Sequence, residues 1–294
     1  MTEAPKWFTE ALASPSEDRF IEVENCRIHY KRWGDVKKPG LLLVHGGAAH
    51  SEWWSFIAPM LASEYHVAAL DMSGHGESGH RDEYPREIWA REVMEVCGDA
   101  GFVGAPVVVG HSLGGFVTIV TAALYGDRLA GAIVVDSPVR RPDPESEEGA
   151  RGKAFRNPKT YDSLEEALDH FHLIPGQPCE NDYIVEHVAR HSLREVDGRW
   201  GWKFDPKVFL RTSPRQMSEF LVDVRARIAI LRAEFSDLVT PEIRDYMYEL
   251  LDRNAPIIEI PQCHHHLLLD QPLALVAALR TLLADWEHSV PRRK

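Results

Sequence analysis

A serine set between glycines, in the stretch VVVGHSLGG at residues 107–115, is the feature of this sequence that most clearly suggests chemistry. Residues 110–114, GHSLG, fit the pattern GxSxG, in which a sharp turn from a strand into a helix exposes a serine hydroxyl. A serine hydroxyl is a weak nucleophile unless a base removes its proton, and the base needs a third group to orient it. Ser112 is therefore a candidate nucleophile, and a histidine and a carboxylate are the partners that it requires.

Two aspartates and a run of histidines lie just after short apolar runs and are candidates for these partners. Asp136 ends one such run, Asp237 follows another, and residues 264–266 are three consecutive histidines. Three histidines also suggest a metal. However, adjacent residues on a loop rarely direct all three rings to one ion, and no cysteine or carboxylate pattern completes a site. We therefore predict that the chain binds no metal and needs no cofactor.

The elements that must position these residues follow a regular order from residue 40 onward. Short, nearly unbroken apolar runs rich in β-branched residues alternate with segments of helical spacing, which indicates strands buried on both faces of a parallel sheet. That alternation predicts a doubly wound α/β fold. Two earlier runs alternate polar and apolar residues and predict an antiparallel edge hairpin. The predicted strands are 19–24, 26–33, 40–45, 66–71, 106–111, 130–136, 227–235 and 256–261.

The strand-helix order is interrupted between residues 139 and 218. This segment begins rich in proline and charge, is helical in places, and contains no convincing buried strand. We predict that 139–218 is a mainly helical cap over the C-terminal edge of the sheet, where ligands bind in folds of this type. Residues 1–138 and 219–294 then form the core.

The sequence resembles the α/β-hydrolase superfamily, in particular its cap-bearing, esterase-like members. The resemblance covers almost the whole chain. It implies the α/β-hydrolase fold, with a mostly parallel eight-stranded sheet flanked by helices and a cap. The motifs that carry it are LLLVHGGAAHSEWW for the oxyanion loop, LDMSGHGESG after the next strand, VGHSLGG for the serine turn, ILRAEFSDLVTPE for the acid loop and IPQCHHHLLLDQP for the histidine loop.

The resemblance also implies a catalytic triad. Its members occur along the chain in the order serine, acid, histidine. The family register of the last motif puts the base at His265, with His264 and His266 as the alternatives. Asp237 is the favoured acid because its loop precedes the histidine loop by one strand, the more frequent arrangement in the family. Asp136 is the alternative acid, since some relatives take their acid from that position.

Two backbone N–H groups are predicted to stabilise the negative charge that develops on a substrate carbonyl. One is the N–H of Leu113, the residue after the nucleophile. The other comes from HGGAAH at residues 45–50, where successive glycines let the backbone turn its amides inward. Gly47 is the favoured donor in this loop, with Gly46 and Ala48 as alternatives.

The expected function is that of a serine hydrolase cleaving a carboxylic ester with an apolar or aromatic body, through an acyl-enzyme intermediate. We predict that Trp53, Trp54 and His111 line the substrate pocket. Families that this chain resembles also cleave lactones, thioesters or the carbon–carbon bonds of diketones with the same triad, so these reactions are the alternative. A less favoured alternative is a ligand-binding receptor on a hydrolase scaffold, because fold does not fix function.

Composition limits the partners and the location. The net charge of −12 disfavours nucleic acid and anionic lipid surfaces. No signal peptide or membrane-spanning run is visible, so we expect a cytoplasmic protein with a small-molecule substrate, and a homodimer is compatible with the sequence. Four isolated cysteines without CxxC spacing are expected to be free thiols: Cys26, Cys97, Cys179 and Cys263.

Overall fold

The computed structural model describes residues 3–141, 158–210 and 215–288. Two stretches of the predicted cap, 142–157 and 211–214, lie outside the described residues. Across the described ranges, no helix combines the length and the apolar character that are needed to cross a lipid bilayer.

The described strands form an eight-stranded sheet and a separate two-stranded hairpin. They are β1 Glu17–Val23, β2 Cys26–Trp33, β3 Pro39–Val44, β4 His66–Leu70, β5 Val103–His111, β6 Gly131–Val135, β7 Leu193–Val196, β8 Arg199–Trp202, β9 Ile228–Ala233 and β10 Ile257–Ile260. The order in the large sheet is β1-β2-β4-β3-β5-β6-β9-β10. The pairs β1–β2 and β2–β4 are antiparallel, and all other neighbours in this sheet are parallel. The predicted fold class and its eight strands are confirmed.

Helices cover both faces of this sheet because its central strands are apolar on both sides. β4 and β6 are buried along their whole length. The α-helices are α1 Lys6–Leu12, α2 Ala58–Leu61, α3 Arg86–Asp99, α4 Leu113–Tyr125, α5 Leu164–Asp169, α6 Asp182–His191, α7 Met217–Val222, α8 Pro241–Leu250, α9 Leu267–Asp270 and α10 Pro272–His288. Buried side chains of α3, α4, α7 and α8 form one core layer, and those of α1, α2, α9 and α10 form the other.

The described residues between β6 and β9 contribute no strand to the large sheet. They form α5, α6, α7 and the hairpin β7–β8. The hairpin was not predicted from the sequence. Its strands have four residues each and are only partly buried, so they show no apolar run. The signal that could have revealed it is the turn Asp197-Gly198, where both residues have positive φ (52° and 75°), as tight hairpin turns require. The cap limits 139–218 remain a prediction.

Candidate active site

Ser112 occupies the strained turn between β5 and α4, with φ 54° and ψ −117°. This backbone conformation is rare for a residue with a side chain and is typical of functional sites. The flanking glycines are steric requirements. A Cβ on Gly110 would come within 2.1 Å of the carbonyl oxygen of Gly114, and a Cβ on Gly114 within 2.4 Å of that of Val44. Strand and helix can therefore approach closely enough to present the Ser112 hydroxyl at the sheet edge.

A continuous chain of hydrogen bonds joins a serine, a histidine and an aspartate at this edge. His265 Nε2 lies 2.9 Å from Ser112 Oγ, and His265 Nδ1 lies 2.7 Å from Asp136 Oδ2. His265 and Asp136 are buried, whereas Ser112 is only partly buried. With Nδ1–H donating to the carboxylate, Nε2 is the free acceptor for the serine proton, which is the arrangement that a general base needs.

Asp136, rather than Asp237, is the aspartate next to His265, so the favoured sequence assignment of the acid is wrong. β6 lies directly beside β5, and the N–H of Ser112 donates to Val135 O at 3.0 Å. The residue that ends β6 is therefore held against the serine turn. Asp237 follows β9, one strand further along the sheet, and its side chain is exposed. The alternative acid, Asp136, is the one that the structure brings to the site.

The last residue of β9 and the loop that follows it support Asp136. The Ser236 hydroxyl donates to Asp136 Oδ2 at 2.7 Å, and the N–H of Ala233 donates to Oδ1 at 3.0 Å. Ser236 Oγ in turn accepts the N–H groups of Leu238 (3.2 Å) and Val239 (3.0 Å). Charge-assisted bonds of this kind fix the orientation of the carboxylate. Sequence reasoning missed Ser236, although it directly precedes the aspartate that was expected to act.

The three consecutive histidines have different surroundings. His264 lies 3.6 Å from Asp270 through Nδ1, and its ring centroid is 5.5 Å from that of Phe235. The His266 ring is buried and lies 5.5 Å from the Trp53 ring. Of the three, only His265 is hydrogen-bonded to Ser112, in the register that the family resemblance implied.

The side chain of His111 holds the backbone of the histidine loop. Its Nε2–H donates to the backbone oxygen of His265 at 2.9 Å, and its side chain is 1% exposed. Burial lowers the pKa of His111 to about 3, and burial also lowers the pKa of His266 well below its usual value. The prediction that His111 lines the substrate pocket is wrong, because this ring is enclosed and bonded to backbone.

Nitrogen atoms of His111, His265 and His266 lie within 4.8 Å of one another, which is close enough to consider a metal ion. Both ring nitrogens of His265 already have protein partners, Ser112 and Asp136. An ion at this place would have to displace the hydrogen bond on which the base depends. The donor set therefore fits a base flanked by two neutral rings, and the absence of a metal stays a prediction.

The backbone N–H groups of Gly47 and Leu113 have no protein acceptor in the part of the chain that the structure describes. Leu113 is the first residue of α4, where N–H groups have no partner within the helix. The loop of Gly47 is fixed by His45, whose Nδ1–H donates to Gly46 O at 2.6 Å and whose Nε2 accepts the N–H of Met72 at 3.1 Å. His45 is a second residue that sequence reasoning missed.

The two predicted pocket tryptophans differ in their surroundings. Trp54 has no exposed surface and packs in the core layer formed with α2 and α10, so its predicted place in the pocket is wrong. Trp53 is 6% exposed and lies beside His266, next to the histidine loop. Contact between Trp53 and a substrate remains a prediction.

Buried histidines are expected to make stability depend on pH. Burial lowers the pKa of His50 and of His111 to about 3, whereas an unfolded histidine titrates at about 6.5. Below about pH 6.5 the unfolded chain binds protons that the folded chain excludes. The free energy of unfolding therefore decreases as the pH is lowered. Each histidine should contribute about 1.4 kcal/mol per pH unit between about pH 6 and pH 4. Urea unfolding at several pH values measures this slope.

His50→Gln provides the matched variant for this measurement. His50 is buried, and its Nε2 lies 2.9 Å from Ser192 Oγ in the described cap residues, a bond that the glutamine amide can replace. The variant should show a shallower dependence of the unfolding free energy on pH. An identical slope in both proteins would contradict this assignment.

An eight-stranded, mostly parallel sheet with a serine on a strained turn after β5 defines the α/β-hydrolase class of fold. The alpha/beta hydrolase family model matches residues 41–279, and the chain belongs to this family. It is 31% identical over 263 residues to lipase LipV of Mycobacterium tuberculosis, spanning 87% of this chain and 97% of that protein. It is 25% identical over 278 residues to esterase Rv0045c of the same organism, spanning 89% of each. A solved E-2-(acetamidomethylene)succinate hydrolase shares the fold with a TM-score of 0.78 at 19% identity, covering 92% of this chain and 100% of that one.

Proposed function

We propose that the protein is a serine hydrolase that cleaves carboxylic esters through an acyl-enzyme. The observation that carries this proposal is the unbroken chain of hydrogen bonds from Ser112 through His265 to Asp136, with distances of 2.9 and 2.7 Å. The relatives LipV and Rv0045c, named as a lipase and an esterase, support ester cleavage by a chain that matches them over most of its length.

The first half of the reaction forms the acyl-enzyme. His265 Nε2 takes the proton of Ser112 as Oγ attacks the ester carbonyl, and Asp136 stabilises the charged imidazole. The carbonyl oxygen becomes negative and accepts the N–H groups of Gly47 and Leu113, each worth about 3 kcal/mol in such sites. The tetrahedral intermediate then collapses, and His265 returns the proton to the departing alcohol.

The second half repeats these steps with water. His265 removes a proton from a water molecule, whose oxygen attacks the acyl carbonyl under the same two N–H groups. Collapse of this intermediate breaks the bond to Ser112 Oγ, and His265 returns the proton to the serine. The products are a carboxylic acid, an alcohol and unchanged enzyme, so the cycle needs no cofactor.

The residues around the oxyanion loop favour a substrate with an apolar body. Phe209, which follows the cap hairpin, lies so close to Gly47 that a Cβ there would be 2.9 Å from Phe209 Cε1. The side chain of Leu113 lies on the same side of the loop, at 3.7 Å from that Cβ position. Apolar surface next to the reacting carbonyl stabilises an alkyl or aromatic group better than a charged one.

Release of nitrophenol from a series of 4-nitrophenyl esters of increasing acyl length tests this proposal. We expect turnover by the wild-type enzyme, with kcat/KM rising from acetate to medium-length acyl groups. A thioester, a lactone and a ring-cleavage diketone should be assayed in parallel, because they represent the alternative reactions of the same triad. Cleavage of the diketone without turnover of any ester would contradict the proposal. The cytoplasmic location and the homodimer remain predictions.

A further inference from the structure

The backbone around His265 is held by hydrogen bonds on both sides. The N–H of His264 donates to Asp270 Oδ2 at 2.8 Å, and the N–H of His266 donates to Gln177 Oε1 at 2.7 Å. The backbone oxygen of His265 itself accepts the bond from His111. Two of these bonds are to the peptide unit that directly follows His265, one to its oxygen and one from its N–H, and the third holds the N–H of the preceding residue.

Gln177 connects two of these attachments. Its Oε1 accepts from the His266 N–H, and its Nε2 donates to Asp270 Oδ2 at 2.9 Å. Asp270 Oδ2 thus receives both the side-chain amide of Gln177 and the backbone N–H of His264. The side chain of Gln177 thereby joins the His266 N–H to the carboxylate that holds the His264 N–H, and neither of its two hydrogen bonds is to the His265 imidazole.

Gln177 belongs to the predicted cap rather than to the core. It lies between α5 and α6, in the stretch that also supplies Asn181, whose Nδ2 donates to Leu269 O at 2.7 Å and to Asp270 O at 3.1 Å. The same short cap segment therefore binds both the histidine loop, through the N–H of His266, and the end of α9, through the backbone oxygens of Leu269 and Asp270.

The geometry of the site makes this attachment matter for the reaction. The imidazole of His265 must hold two hydrogen bonds at once, 2.7 Å to Asp136 and 2.9 Å to Ser112. A displacement of about 1 Å in such an arrangement can cost up to a hundredfold in rate. The N–H of His266 belongs to the peptide unit that follows His265. A rotation of this peptide unit therefore changes the orientation of the His265 side chain.

We propose that Gln177 is a positioning residue through which the cap holds the catalytic histidine in its productive orientation. This inference rests on the proposed function in that it takes His265 as the base. Gln177 contacts no reacting atom. It acts on the alignment of His265 with Ser112 and Asp136. Activity then depends on the contact between the cap and the histidine loop.

Gln177→Leu removes both hydrogen bonds while keeping a side chain of similar size. The expected result is a roughly tenfold lower kcat on a 4-nitrophenyl ester with KM unchanged within a factor of two, since alignment and not substrate binding is lost. The far-downfield proton resonance of His265 Nδ1–H should broaden or exchange faster than in the wild type. Glu180→Gln, at an exposed cap position three residues away, is the matched control and should leave both readouts unchanged.

The two readouts separate this inference from the proposed function. If the wild type cleaves no ester, the proposed function fails, and the His265 resonance alone decides the role of Gln177. An unchanged resonance with kcat within twofold of the wild type would overturn the inference. So would an effect confined to KM, or an equal loss in Glu180→Gln. Where Gln177→Leu does not fold, Gln177→Ala, which adds no apolar bulk, is measured in its place with the same outcomes.

Discussion

Asp136→Asn is expected to lower kcat about 10⁴-fold while leaving the fold intact. The amide cannot accept the Nδ1–H of His265 as a carboxylate does, so the imidazole loses both its tautomer and the charge that stabilises its protonated form. Asp136 accepts further hydrogen bonds from Ala233 and Ser236, so its carboxylate is held in a fixed position next to His265. Steady-state kinetics on a 4-nitrophenyl ester, with circular dichroism as the check on folding, provide the measurement.

Asp237→Asn is the matched control, since it makes the same chemical change at the aspartate that the sequence favoured. Its side chain is exposed after β9, and its kcat should stay within a factor of two of the wild type. The opposite pattern, a large loss for Asp237→Asn and a small one for Asp136→Asn, would show that the acid is drawn from the β9 loop in solution.

Ser112→Ala should have the larger effect of the two, a roughly millionfold loss of kcat. The alanine has no atom to attack the carbonyl, so only the oxyanion donors and substrate binding remain to assist water. The assay must use enzyme from which wild-type contamination is excluded, because a trace of it would mask a loss of this size. Ser137→Ala is a suitable control at a neighbouring buried serine, whose hydroxyl donates to the backbone oxygen of Ser112 rather than to a reacting group.

Retention of substantial esterase activity by Ser112→Ala would contradict a serine nucleophile. A large loss of kcat in Ser137→Ala would indicate that the serine turn is sensitive to any nearby change. The unfolding free energies of both variants would then be compared to separate loss of the nucleophile from loss of stability.

The sheet and the serine turn could be predicted from the sequence because their signals are local. Unbroken β-branched runs such as that of β6 occur where both faces of a strand are buried. The glycines two positions before and after Ser112 are required by the close contacts of α4 with β5 and with the end of β3. The register of the histidine loop was also readable, since it depends on a short motif.

The acid could not be read in the same way, because Asp136 and Asp237 both follow strands that end at one edge of the sheet. The choice depends on which strand is the neighbour of β5 and on how the loop after β9 bends. That loop presents Ser236 to Asp136 and leaves Asp237 in solvent. These are tertiary relations, and no local pattern encodes them.

The contacts of the cap were equally hidden. Gln177 lies 89 positions before the His266 amide that it binds, in a segment without a periodic pattern. Long-range bonds from polar side chains on loops leave no trace in hydrophobic spacing. The hairpin β7–β8 was missed for a different reason: its Asp-Gly turn was visible, but its strands are too short and too exposed to form an apolar run.

Covalent labelling tests the central claim, that Ser112 is a nucleophile activated by His265, most directly. The native enzyme is treated with a fluorophosphonate, the adduct is counted by intact mass, and its position is found by peptide mapping. We predict one adduct per chain on Ser112, with labelling at least a hundredfold slower in His265→Ala because Oγ then has no base. An adduct on another residue, no adduct at all, or equal labelling rates in the two proteins would contradict the account.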